Sequence, residues 1–85
     1  MPYVVLLLFA GAKDAVGKSS ISDFQLELTD YTYTNLSQEI EQKLKLTNGL
    51  TYKLALNEEY LNEADQHIKI AENDEIAVIP PLSGG

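Results

Sequence analysis

Hydrophobic and polar positions change their spacing several times along this chain, and each change marks an element. Tyr3-Val4-Val5-Leu6-Leu7-Leu8-Phe9-Ala10 is an unbroken apolar run stopped by Gly11. That pattern predicts a strand buried on both faces at the centre of a sheet. Ala12 to Val16 read as a short helical turn closed by Gly17. From Ser20 the sequence alternates, with Phe24, Leu26 and Leu28 on one face and Gln25, Glu27 and Thr29 on the other. This predicts a half-buried strand, antiparallel to the first across a wide connection. Tyr31-Thr32-Tyr33-Thr34 reads as a polar surface bridge.

The spacing then becomes helical. Leu36, Ile40 and Leu44 share one face of a helix predicted over about 36–46, with Asn35 as N-cap and Gln38 as its capping-box partner. Glu39 and Glu41 lie early and Lys43 and Lys45 late, which suits the helix dipole and gives Glu39/Lys43 and Glu41/Lys45 pairs at i,i+4. Asn48-Gly49 supplies the stop. Alternation returns at Tyr52 to Asn57, with Tyr52, Leu54 and Leu56 facing one way. Glu58 to Asp65 is acidic and irregular, Ile68 and Ile70 form a short strand, and Glu75 to Ile79 form a last apolar strand ending at Pro80. The order is strand, strand, helix, strand, short strand, strand, tail. That is an α+β chain of β-grasp type: a mixed sheet of four to five strands on one main helix, the first and last strands parallel at its centre. Residues 1–79 form the domain and 80–85 a C-terminal tail.

Composition narrows the function classes. At 85 residues the chain is one domain that buries only about 60 to 65% of its unfolded surface, too little for a large catalytic cleft. Thirteen acidic residues against six basic ones give a net charge of −7, which disfavours nucleic acid and anionic membranes and favours basic protein partners. With no cysteine there is no disulfide, thiolate metal site or thiol nucleophile. The opening apolar run is too short for a membrane span. Ala10-Gly11-Ala12 imitates a signal-cleavage site, but no Lys or Arg precedes the run, so a cytoplasmic protein is expected.

Three stretches invite a chemical reading and do not sustain it. Gly11 to Ser19 ends Gly-Lys-Ser after a strand, but Gly11 and Gly17 enclose five residues where a phosphate-binding loop has four, and no helix follows Ser19. The acidic run Glu58 to Asp65 lacks the glycine and alternating oxygen ligands of a calcium loop, so no metal is expected. His67 is the only histidine and has no neighbouring serine to activate. What remains is the end, Pro80-Pro81-Leu82-Ser83-Gly84-Gly85. Two prolines prevent strand continuation, and Gly84 and Gly85 leave an unhindered carboxyl group that passes a narrow channel. Six residues span at most about 20 Å extended. Gly-Gly taken alone is more often a frayed terminus.

Phe9-Ala10 with Lys13-Asp14 and Gly17, and Asp74 to Ile79 running into Pro80-Pro81-Leu82-Ser83-Gly84-Gly85, together resemble the sulfur-carrier small subunit of molybdopterin synthase over essentially the whole chain. The resemblance implies a ubiquitin-like β-grasp fold and a carrier that is not itself a catalyst. An adenylating, ubiquitin-activating-like sulfurtransferase partner would activate the Gly85 carboxylate with ATP, and sulfur would be installed there as a thiocarboxylate. The tail, Pro80 through Gly84, would then enter the large subunit, where sulfur passes to a cyclic pterin precursor to form the molybdopterin dithiolene. The family's assembly is a heterotetramer, and no cofactor is bound by the carrier. Gly-Gly alone also admits a carrier of thiamine or tRNA-thiolation type, a protein modifier, or a plain β-grasp interaction module. Two positions depart from the family pattern: Lys13-Asp14 stands where Arg-Glu is common, and Val78-Ile79 where aromatics are common. The docking contact is therefore expected to be aliphatic, through Ile79 and Leu82.

Overall fold

The computed structural model describes residues 1–46 and 50–81. The elements are β1 (Tyr3–Leu8), α1 (Ala10–Val16), β2 (Ser20–Gln25), β3 (Asp30–Tyr31), α2 (Tyr33–Leu44), β4 (Lys53–Leu56), β5 (Glu59–Tyr60), β6 (Ile68–Lys69) and β7 (Glu75–Ile79). Five of the strands form one mixed sheet in the order β2-β1-β7-β4-β5, and β3 and β6 pair separately. β1 and β7 are parallel neighbours at the centre, with Leu6 opposite Ile76 and Leu8 opposite Val78. The other pairings in the sheet are antiparallel. This is the expected α+β architecture, with the five-stranded sheet at the upper end of the predicted range.

The core forms where the two periodicities meet. Val4, Leu6, Leu8, Leu54, Ile76 and Val78 project from one face of the sheet onto Tyr33, Leu36 and Ile40 of α2, and all are buried. Each such aliphatic side chain gains about 1.5–3 kcal/mol from burial, so this single layer holds the domain together. Ala12 of α1 and Leu26 close its ends. Among the described residues no helix is long and apolar enough to cross a membrane.

Several local expectations are corrected. α2 begins at Tyr33, and its N-cap is Thr32, whose hydroxyl accepts from the Asn35 N–H at 3.0 Å; Asn35 therefore lies inside the first turn. The supposed polar bridge is a strand end and a helix start, with Tyr31 and Tyr33 both buried. α2 stops at Leu44 because Lys45 enters the left-handed region at φ 57. This also turns Lys45 away from Glu41, whose carboxylate takes a hydrogen bond from the Tyr52 hydroxyl instead. The Glu39/Lys43 pair does form, at 3.0 Å. Asn48 and Gly49 lie outside the described residues. β2 ends at Gln25, and Leu28 is 53% exposed because the chain turns there to bring Tyr31 under Leu28. The acidic segment contains β5: Asn57 and Glu58, at φ 50 and 72, make the tight turn that pairs β5 with β4.

The largest correction concerns β1, whose burial alternates instead of being complete. Among the described residues only one helix, α2, is longer than two turns, and it covers one face of the sheet. Val5 and Leu7 are left on the other face, half-exposed.

Candidate functional site

The uncovered face is apolar because its strands carry the sequence of a two-sided strand. One row crosses four strands: Leu7 lies opposite Ala77, Ala77 opposite Ala55, and Ala55 opposite Tyr60. The two alanines between larger residues form a shallow trough, lined also by Phe9 and Ile79 and edged by Glu58 and Glu75. Phe9 is 46% and Tyr60 69% exposed, unusual for side chains of this size.

The trough runs into the place where the tail leaves the domain. Ile79, the last residue of β7, is opposite Lys53 of β4 and half-exposed. Pro80 is buried beneath it and Pro81 is exposed. An open groove of about 900 Å³ lies beside both prolines, lined by Phe9, Tyr52, Lys53, Tyr60, Leu61 and Glu63. The Lys53 ammonium sits 3.0 Å from a Glu63 carboxylate oxygen. Lacking an N–H, neither proline donates to a further ladder, so β7 ends at the groove.

Among the expected site residues, the structure therefore brings Ile79, Pro80 and Pro81 together with three aromatics, Phe9, Tyr52 and Tyr60. Leu82, Ser83, Gly84 and Gly85 lie outside the described residues. Lys13 and Asp14 are exposed on α1. His67, also exposed, has its Nδ1 3.5 Å from Asp30, which also pairs with Lys69 at 2.9 Å. Among the described residues no group of His, Asp and Glu is arranged to hold a metal ion. Sequence reasoning missed that Leu7, Phe9 and Ala77 lie outside the covered core. The usable signal was stoichiometric: one long amphipathic helix cannot cover both faces of a sheet with two fully apolar strands.

Charge elsewhere is consumed by the fold. The Glu39 carboxylate would be pushed up by partial burial, but hydrogen bonds from Tyr31, Lys43 and the Glu27 N–H outweigh this and hold it below its ordinary value. The Tyr31 phenol, through burial and its bond to Glu39, is pushed up to about 12. Both belong to a clamp between α2 and the loop after β2, at a distance in sequence and fold from the tail.

Comparison with known proteins agrees with this architecture. The profile of the ThiS family matches residues 6–85. A molybdopterin synthase sulfur carrier subunit from Dictyostelium discoideum is 44% identical over 82 residues, covering 94% of this chain and 93% of that protein. One from Anopheles gambiae is 35% identical, covering 96% and 91%. In fold, SAMP1 from Haloferax volcanii superposes with a TM-score of 0.68 at 18% identity, covering 96% of this chain and 98% of that one. The small archaeal modifier protein 1 from Methanosarcina acetivorans gives 0.65 at 18% identity, covering 100% and 98%. With the family profile matched over residues 6–85 and relatives 44% and 35% identical over nearly the whole chain, the chain belongs to the ThiS family, alongside proteins named molybdopterin synthase sulfur carrier subunit.

Proposed function

We propose that this protein is the sulfur-carrier subunit of a molybdopterin synthase and that its working group is the Gly85 carboxyl. An activating enzyme would join that carboxylate to the AMP portion of ATP, releasing pyrophosphate. A sulfur nucleophile would then displace AMP, leaving a thiocarboxylate on Gly85. Docked on the large subunit, the tail would present this sulfur to a cyclic pterin precursor, and a carboxylate would return for the next cycle. The carrier supplies no acid, base or metal to these steps. It supplies reach, an unhindered end, and a surface by which the end is delivered.

The observation that supports this most is the union of two features at one place. The apolar face of Leu7, Ala77, Ala55 and Tyr60 is continuous with Ile79 and Pro80, where the tail departs. A partner covering the face therefore receives the tail at a fixed origin. Pro81 to Gly85 extended would reach roughly 17 Å beyond that origin, deep enough to enter an active site in the partner.

The test is intact mass spectrometry after incubation with the family's adenylating enzyme, ATP and a sulfur donor. Exchange of one carboxyl oxygen for sulfur at Gly85 is expected, followed by loss of that sulfur when large subunit and pterin precursor are added. An unchanged mass argues against any carrier role. Isopeptide bonds to lysines of other proteins, with no transfer to the pterin, would identify a modifier instead.

A further inference from the structure

We propose that Glu63 and Tyr60, on the rim of the tail-root groove, form a subsite for an arginine side chain of the large subunit, and that this subsite helps select the partner. The inference rests on the carrier reading above and adds to it the chemistry of the docking segment.

Lys53 and Glu63 are the groove's only charged side chains among the described residues, and they pair with each other. Their side chains are 58% and 65% exposed, so the pair is worth little in the free protein and is open to exchange. Lys53 engages a single oxygen, Oε2; Oε1 takes no hydrogen bond among the described residues. A lysine offers a point charge to one oxygen, whereas a guanidinium offers a planar fork that matches both.

Tyr60 supplies the second half of the subsite. Its ring is exposed and lines the same groove. The other tyrosine of the groove, Tyr52, is committed through its hydroxyl to Glu41. A carboxylate and an exposed aromatic ring lining one groove are groups that take a guanidinium, by forked hydrogen bonds and by stacking. Glu58 and Glu75 edge the adjoining trough, so the docking face carries three carboxylates against one ammonium. An apolar segment without a cation would leave that charge facing nothing, and an acidic one would be repelled.

The probe is the large subunit from the same organism, titrated calorimetrically with the full-length carrier. Relative to the unaltered protein, Glu63→Lys is expected to raise Kd at least about tenfold and Tyr60→Ala several-fold. Asp23→Lys makes the same charge change on exposed β2, at the opposite edge of the sheet, and is expected to alter Kd less than about twofold. In a double-mutant cycle, Glu63→Gln should couple to one interface arginine of the large subunit. Equal losses for Glu63→Lys and Asp23→Lys would reduce the effect to bulk charge, and an unaltered Kd for Glu63→Lys would remove the subsite. If the unaltered carrier takes up sulfur and binds the large subunit while the variants bind equally well, the subsite alone fails. If the unaltered carrier does neither, the carrier reading falls and the subsite with it.

Discussion

At Tyr31 one hydroxyl joins two segments that have no ladder between them. It accepts from the Leu28 N–H at 3.0 Å and donates to Glu39 at 2.6 Å. Glu39 in turn accepts from the Glu27 N–H, and Lys43 bridges Glu39, Glu27 and the Gln25 carbonyl. Replacing Glu39 by Gln keeps the shape and removes the charge, so we expect a loss of about 1–3 kcal/mol at neutral pH by urea unfolding. The sign with pH follows from the depressed carboxyl. Its stabilisation is present above the ordinary value of 4.5 and is lost as pH falls through the lower folded value. Stability curves of the native protein and Glu39→Gln should therefore converge below about pH 4.5. At the β4–β5 turn, Glu58 holds φ 72 with a side chain. Glu58→Gly relieves that strain against a smaller entropic cost, and a gain of up to about 1 kcal/mol in thermal unfolding is expected.

Elements divide sharply between those that hold the fold and those that face outward. Ile40 of α2 has no exposure at all, and Ile40→Ala should cost about 2–5 kcal/mol by denaturant titration. Ile79 closes β7 on the uncovered face, where its partner strand offers Lys53. Ile79→Asp should cost only about 1 kcal/mol yet abolish measurable capture by the large subunit. Binding that survives this change would remove Ile79 from the docking surface. The two outcomes separate because the same strand carries Val78 inward and Ile79 outward.

On the scale of the whole molecule, the proposed role asks an acidic domain of 85 residues to deliver its terminus to partners that supply the catalytic apparatus. With a net charge of −7, association with a basic large subunit should slow as salt is raised, while the dissociation rate changes little. Stopped-flow measurement across ionic strengths checks this. Deleting Gly85 should leave the melting temperature unchanged, since the last residues of a chain in general add little to stability, and should abolish sulfur transfer in the same preparation.

Period-2 and period-3.6 patterns are local, and they sufficed to place β1, α2, β4 and β7 and the parallel pairing of β1 with β7. The family resemblance was legible for the same reason, being carried by contiguous residues at the two ends of the chain. What the pattern could not convey was coverage. An apolar residue in a strand looks alike whether a helix packs on it or solvent does, so Leu7 and Ala77 read as core until the sheet was seen to have one helix on one side. Tyr31 and Tyr33 erred the other way: their hydroxyls suggested surface, but tertiary contacts with Leu28, Glu39 and Leu54 satisfy those groups and permit burial. Thus the chain's main elements and its family were determined by sequence. The uncovered apolar face was decided by tertiary structure, because exposure is a property of what packs against a residue and not of the residue itself.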